Sequence, residues 1–500
     1  MTSAARSALI VGSLVLAGRA LSLNRALIGV SYDDGLYAGA AIALAHGQGY
    51  VHPHLPGTPA VVHYPPVYPL VLMPFFGTMS VDTAGFAAKV LNVLIAALTA
   101  ALIAWHAARS ELLGAGAPRW LAPAVVTAAA LAIPCLVLQT ALYAEPLFGL
   151  WLALAVVGAD VASDSGSVAL SAVLAGSAAA LALLTRSIGV AAGAGVVGFL
   201  LVVRKASLKH VALAALPVAL AALGWAWWAA AHAHGIDPGM AINYGNYGEV
   251  VKQSGLSAYA RSIPDLARPA ATITLAWVGS RPLYLGFGLA ALLVGAYGWW
   301  VMWRRSAIAF TLVGYFAILA VWPFDPDRFE WAVLPWIALI WTAGAVRLYQ
   351  RDRRWHIPVG LVAAAIVVGY VIQESTGLAH RGWRNAYVQA NGAFHEMLPT
   401  LTTLPANAVL ASDGEALVWL YTRHTAVPFY VYGYHEGQWV QPTPAAHRAY
   451  LERMGVTHVL LTGFGGGSDQ ELNALLGAFP GWLTAVHVWP GGKALFQVQR

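Results

Sequence analysis

WLAPAVVTAAALAIPCLVLQTALYAEPLFGLWLALAVVGA, residues 120–159, holds a single charged side chain, Glu145. A spanning helix needs about 20 mostly apolar residues, so this stretch accommodates two in succession, at 120–138 and 141–160. Working outward, comparable apolar segments occur at 7–29, 84–107, 168–185, 187–203, 211–231, 281–301, 306–323, 329–347 and 357–373. The composition agrees with that reading. Of 500 residues, 59% are hydrophobic and 10% charged, and mean hydropathy is +0.64, whereas soluble domains carry roughly a quarter charged residues. Disordered chain, coiled coil and soluble enzyme are excluded. The expected fold is an all-α polytopic membrane body of about eleven transmembrane helices.

A net charge of +6 does not point to nucleic acid, because 28 Lys and Arg spread over the chain form no basic stripe. A modest cationic excess is what cytoplasmic loops require. With the N-terminus inside, the inner loops receive Arg6, Arg109, Arg119, Arg204, Lys205, Lys209, Arg304, Arg305, Arg347, Arg351, Arg353 and Arg354. The outer loops receive Arg186, Lys252, Arg261, Arg268, Arg281 and Arg328. The inner loop around Asp160 and Asp164 has no cation. The lone Cys135 excludes an intramolecular disulfide framework and a Cys-based zinc site. The first apolar run, from Ala8, is too long for a cleavable signal peptide. This topology puts the N-terminus in the cytoplasm and the C-terminus outside.

Two long outer loops follow, 30–83 and 232–280, and a tail that changes character. The membrane body is expected over 1–373 and a small extracytoplasmic α/β domain over 374–500. In the tail, strand-length apolar runs (Ala408–Ala411, Val427–Val431, Val459–Leu461, Ala494–Val498) alternate with helix-like stretches at 386–398, 414–423, 444–454 and 469–478, the pattern of an α/β layer. Gly463 to Gly467 reads as a flexible turn, because it lacks the strand–GxGxxG–helix context of a nucleotide site. The tail is expected to cover the cavity or receive the acceptor, leaving a body that folds without residues from about Asn391 onward.

The first outer loop carries the chemistry. Ser31-Tyr32-Asp33-Asp34-Gly35-Leu36-Tyr37 places adjacent carboxylates directly after a span, with no Lys or Arg between Arg25 and Lys89. Helix capping by Asp before Gly35–His46 accounts for one carboxylate and only loosely for both. Further on, Val62-His63-Tyr64-Pro65-Pro66-Val67-Tyr68-Pro69 is stiffened by prolines, which would fix His63 and Tyr64 in place. His52 and His54 form a His-x-His that could ligate zinc, although in a Pro-rich loop the solvated alternative is the commoner one. Glu145 inside an apolar run is a functional candidate by position, with pairing to Arg19 or Arg25 as the alternative. Trp225, Trp227, Trp228, Trp299, Trp300 and Trp303 read as interfacial residues.

Taken in order, these motifs resemble the bacterial GT-C superfamily of membrane glycosyltransferases, which use polyprenyl-phosphate-linked sugars and include protein mannosyltransferases and aminoarabinose transferases of lipid A. Asp33-Asp34 with Tyr37 resembles the acidic pair opening that family's first outer loop. Leu44-Ala45-His46-Gly47-Gln48-Gly49-Tyr50 and Tyr64-Pro65-Pro66-Val67-Tyr68-Pro69 follow in the family's order. Ala144-Glu145-Pro146, Thr185-Arg186-Ser187-Ile188-Gly189 and Asp327-Arg328-Phe329 with Leu334-Pro335 complete the set, over about the first 340 residues. Some relatives place Glu-Lys or Asp-His before the Pro-Pro pair where this chain has His63-Tyr64. A lysine contact to donor phosphate at that place is therefore absent.

The resemblance implies transfer of a sugar from a polyprenyl-phosphate-linked donor to a hydroxyl on a lipid, glycan or protein acceptor, at the outer face of a bacterial plasma membrane, with inversion. It implies Asp33 as base and Asp34 as a group orienting hydroxyls. Arg186, Arg328, His63 and Tyr64 would meet donor phosphate, with Tyr37 and Glu145 as polar cavity residues. Arginine suits phosphate because its planar fork binds two oxygens together. A snorkelling anchor is the alternative for Arg186, and a local salt bridge to Asp325, Asp327 or Glu330 the alternative for Arg328. No cofactor is required, while a carboxylate pair leaves a divalent metal open. The rival classes are a multi-pass transporter, against which stands the lack of paired, broken-helix repeats, and a non-catalytic GT-C-like scaffold, against which stands the acidic pair.

Overall fold

The computed structural model describes residues 2–161, 168–245, 265–322, 325–431, 433–435, 438–463 and 467–499. Asp164, Lys252, Arg261 and residues 464–466 of the glycine run lie outside the described residues. Each of the apolar segments folds as helix over most of its length. Among the described residues, six helices are long and apolar enough to cross a membrane, Val81–Arg109, Val168–Thr185, Leu208–Gly235, Arg281–Met302, Asp327–Arg351 and Arg353–Ala379. The chain is an integral membrane protein.

Two segments depart from the expected spans. The first helix, Ser3–Ala20, stops well short of residue 29. Polar groups turn the chain there. The Ser22 hydroxyl donates to the Arg19 carbonyl at 2.8 Å, and Asn24 Oδ1 accepts the Ala26 N–H at 3.0 Å and Lys89 Nζ at 2.9 Å. Arg19 stays buried by donating to the Ala130 carbonyl at 3.0 Å. The 120–138 segment breaks at Ala132, whose ψ of 139° leaves the helical region before Pro134. The carboxylate of Glu374 accepts the freed Ile133 N–H at 3.0 and 3.1 Å, which a broken helix needs in a low-dielectric setting.

At the end of the bundle away from the tail, Asp160 holds three elements together. Its carboxylate contacts His106 Nε2 at 2.8 Å and accepts the Ala307 N–H at 2.7 Å, while Arg204 donates to its backbone carbonyl.

The tail forms a five-stranded sheet in the order β2-β1-β5-β7-β6, with β1 Val409–Ser412, β2 Thr425–Pro428, β5 His458–Leu461, β6 Leu483–Trp489 and β7 Lys493–Val498. A separate antiparallel hairpin joins β3 Gly433–His435 to β4 Gln438–Val440. β1 runs parallel to both β2 and β5, and β7 is antiparallel to β5 and β6. The glycine run follows β5 and precedes the helix Ser468–Ala478, between the strand and the helix expected there. Asp469 and Glu471 occupy that helix's first turn and would repel an anion.

The tail is built into the body. Gly29 and Gly35 let the first loop lie directly on the helix Glu415–Thr422: a Cβ at Gly29 would come within 2.7 Å of Leu417 Cα, and one at Gly35 within 2.8 Å of Ala416 Cβ. Ile28, Leu36, Tyr37 and Tyr68 share one apolar core with Trp419, Val427, Phe429 and Val459. The outer edge of β2 is covered too, because the Ala426 N–H donates to the His54 carbonyl at 2.8 Å. Removing the tail from Asn391 would expose this shared core, so the expectation of an independently folding body has no support in the packing.

Candidate active site

The helix Asp33–Ala45 begins two residues before its expected start, after an unusual turn. Tyr32 has φ 65° and ψ −72°, and the Asp33 N–H donates to the Ser31 carbonyl at 2.8 Å. This is a γ-turn of the strained, positive-φ kind, and non-glycine residues hold such a conformation only where their surroundings enforce it. The turn sends the two carboxylates to different tasks. Asp34 Oδ1 accepts the N–H groups of Ser31 at 3.1 Å and Gly35 at 2.9 Å. Asp34 therefore holds the turn at the helix start from within the first turn, and the N-cap, Tyr32, has no side-chain capping bond.

Asp33 is left for the interior. Its Oδ1 accepts the Tyr64 hydroxyl at 2.7 Å, and its Oδ2 lies 2.8 Å from Arg328 Nη2. The carboxylate lacks a cation nearby in sequence but has one in space. Arg328 Nε also lies 4.0 Å from Glu145 Oε1, and that carboxylate is ion-paired to Arg186. Asp33, Arg328, Glu145 and Arg186 thus form an alternating row of charges, all but Arg328 buried. The aromatic faces of Tyr143 and Phe329 lie 4.8 Å from Arg328 and 4.3 Å from Arg186, adding cation–π attraction and fixing both guanidinium planes.

Several alternatives weighed on the sequence are now decided. Glu145 pairs with Arg186, not with Arg19 or Arg25. Arg328 turns away from its sequence neighbours, because Arg268 takes Asp325 at 2.9 Å and Asp327 at 3.3 Å. Tyr37 packs its ring 4.9 Å from Tyr64 and 5.0 Å from Tyr68, whose hydroxyl accepts from Asn92 at 2.8 Å. His63 Nδ1 contacts the Gly245 carbonyl at 2.8 Å.

Burial pushes Asp33 towards higher pKa, but Arg328, Arg186 and the Tyr64 hydroxyl outweigh it and hold the group below the ordinary carboxylate value. Burial pushes Asp34 up despite its backbone donors. His63 is pushed down to about 4 by burial, so its imidazole is neutral at neutral pH. With Nδ1–H on the Gly245 carbonyl, a neutral ring has an acceptor at Nε2. That is poor chemistry for gripping a phosphate oxygen, the contact expected from the resemblance.

A second buried network, missed in the sequence, ties the tail to both outer loops. The Tyr244 hydroxyl donates to Glu415 Oε1 at 2.6 Å and lies 2.9 Å from His54 Nε2. A hydroxyl has one proton, so Tyr244 accepts from His54, which fixes that ring's tautomer. His54 therefore belongs to a protein hydrogen-bond chain, not to a solvated loop. Among the described residues, no three His, Cys, Asp or Glu side chains are grouped to hold a metal ion.

The bundle and its sheet-bearing tail share their fold with solved oligosaccharyltransferases. The oligosaccharyltransferase AglB of Archaeoglobus fulgidus, solved with an inhibitory peptide and a dolichol-phosphate, is 10% identical with a TM-score of 0.55, over 99% of this chain and 74% of that one. The same organism's oligosaccharyltransferase in the apo form is 12% identical with a TM-score of 0.53, over 91% and 69%. ArnT of Cupriavidus metallidurans bound to undecaprenyl phosphate is 15% identical with a TM-score of 0.47, over 98% and 97%. No protein-family model and no curated protein matches the sequence. At these identities the likeness is one of fold.

Proposed function

We propose that the chain is an inverting membrane glycosyltransferase. It moves a sugar from a polyprenyl-phosphate donor to a hydroxyl acceptor at the outer face of a bacterial plasma membrane, with the N-terminus cytoplasmic, the tail outside, and the membrane body and tail dividing near residue 373. The observation that carries the reading is the Asp33–Arg328–Glu145–Arg186 row, at the tail-side end of a GT-C bundle.

Asp33 accepts the proton of the acceptor hydroxyl as that oxygen bonds to the anomeric carbon. The bond from that carbon to the phosphate oxygen breaks, and the polyprenyl phosphate departs with the electron pair. Arg328 and Arg186 receive its charge. The ion pair makes Asp33 a weak base. A donor phosphate drawing Arg328 towards itself removes that restraint and raises the basicity of Asp33 when the donor is in place. Tyr64 orients the Asp33 carboxylate, Tyr37 supports Tyr64, and Asp34 holds the turn that aims Asp33.

The test is turnover of undecaprenyl-phosphate-linked sugars by the purified chain in proteoliposomes containing bacterial lipid and glycan acceptors. Release of undecaprenyl phosphate with sugar appearing on an acceptor supports the reading. Intact donor, with free sugar supplied outside accumulating inside the vesicles, would replace it with transport.

A further inference from the structure

A cavity of about 150 Å³ lies where the first loop meets the tail, lined by Val30, Tyr32, Asp413, Gly414 and Tyr430 among others. It opens at the carboxyl end of β1, where Asp413 bonds the residues that follow β5. From β1 the chain crosses to β2 on one side, and from β2 it returns to β5 on the other, so the strand order reverses there. In open α/β sheets that reversal point forms the ligand crevice.

The walls have a definite chemistry. The rings of Tyr32 and Tyr430 stand 6.4 Å apart at 58°, forming an aromatic wedge. Asp413 is rigid: its Oδ1 accepts the Thr462 N–H at 2.7 Å and the Thr462 hydroxyl at 2.8 Å, and its Oδ2 accepts the Gly463 N–H at 3.1 Å. No Lys or Arg is among the lining residues, so a phosphate would meet a carboxylate without a countercharge. Aromatic faces beside a fixed carboxylate suit a ring with apolar C–H faces and hydroxyls at its edge. A cavity of this size takes about one six-membered ring.

We propose that this cavity is a subsite for one neutral, polyhydroxylated ring, a saccharide residue of the acceptor. The proposal rests on the glycosyl-transfer reading for which substrate the ring belongs to, and on the cavity alone for its chemistry. The γ-turn gives the geometry its sense. Tyr32 faces Tyr244 and Tyr430 on the tail side, while Asp33, the next residue, faces Arg328 and Tyr64. An acceptor ring against Tyr32 lies on one side of the base and the donor phosphate on the other, the order a displacement requires.

The experiment is saturation-transfer NMR on the full chain in detergent, with the methyl glycosides of glucose, mannose, galactose and N-acetylglucosamine and with tetramethylammonium as probes. At least one glycoside should receive saturation. Tyr430→Ala, and Val30→Trp filling the cavity, should each weaken that signal about fivefold, the worth of one stacking contact, whereas Tyr430→Phe keeps it. Arg328→Ala should also keep it, because that residue belongs to the donor side. Transfer to no glycoside, or to tetramethylammonium alone, overturns the proposal. So does a signal that follows Arg328→Ala and ignores Tyr430→Ala, which would make the ring the donor's. Cavity-dependent glycoside binding by a chain that turns over no lipid-linked donor would uphold the saccharide site and overturn the transferase reading instead.

Discussion

Arg328 sets its Nη2 2.8 Å from Oδ2 of Asp33, while its sequence neighbours Asp325 and Asp327 pair with Arg268. The contact joins the first loop to the start of a late helix and makes two ends of the chain one site. Removing one partner of a buried pair strands the other, at about 3–5 kcal/mol when burial is complete. Arg328 is 32% exposed, so Arg328→Ala should cost about 2–3 kcal/mol. The double variant Asp33→Asn with Arg328→Ala should recover part of that loss, because no stranded carboxylate remains. Thermal unfolding of the four purified proteins measures the coupling, and strict additivity would mean that the pair contributes nothing.

Asp34 has a different task, and its substitutions should separate from those of Asp33. Asp34→Ala removes the acceptor of the Ser31 N–H and leaves the Gly35 N–H with the Tyr32 carbonyl alone, and should destabilise by about 1–3 kcal/mol. Asp34→Asn keeps an acceptor oxygen and should lose less stability, with turnover well above that of Asp33→Asn. Equal loss of turnover in the two asparagine variants, at unchanged stability, would assign Asp34 a chemical role.

Buried titratable groups at the tail interface give a signed pH dependence. Burial pushes Glu415 up to about 7 and Glu471 up to about 7 from an ordinary 4.5. Their contribution is complete below 4.5 and is lost as pH rises through 7, because the folded state then holds protons the unfolded state has released. His54, pushed down to about 3, and His447, pushed down to about 4, act oppositely, with their contribution growing until the ordinary 6.5 is passed. Of these four groups only the two acids are still titrating from pH 6.5 to 8, and their share of the melting temperature should fall over that interval. Glu415→Gln with Glu471→Gln should flatten the profile, and an unchanged slope would show that the two acids are not its source.

The orientation rests on loop charge and is open to direct labelling. Gln48 and Lys205 are both exposed and lie in loops assigned to opposite sides, and the single native Cys135 is buried. A membrane-impermeant maleimide added to intact spheroplasts should modify cysteine at position 48 and spare cysteine at 205. The reverse pattern would put the proposed site on the cytoplasmic side.

The spans were legible because lipid demands one simple thing of a helix, an uninterrupted apolar run. Their ends were less so. Ser22 and Asn24 turn the chain at the end of the first helix through local bonds, and Lys89, distant in sequence, locks Asn24 in place. Asp33, Glu145, Arg186 and Arg328 could each be picked out as charges where charge is costly, but not who pairs with whom. Pairing depends on helix packing, which leaves no local pattern, and the Glu145 partners considered from sequence were the wrong arginines. Nothing marks Tyr32 for a positive φ, since tyrosine has no preference for it. The strand Leu483–Trp489 escaped notice because it is a sheet edge with five consecutive residues exposed, so its sequence lacks the alternation of a half-buried strand.

The central claim is that Asp33 is the base, and it is tested most directly by the single-turnover rate of Asp33→Asn with saturating undecaprenyl-phosphate-linked donor. The asparagine keeps size and can accept the Tyr64 hydroxyl, but cannot take the acceptor's proton. The rate should fall about 100-fold to 10,000-fold, the usual worth of a general base, while donor affinity changes little. A near-normal rate in a folded Asp33→Asn protein would contradict the account and leave the carboxylate as an anchor for Arg328.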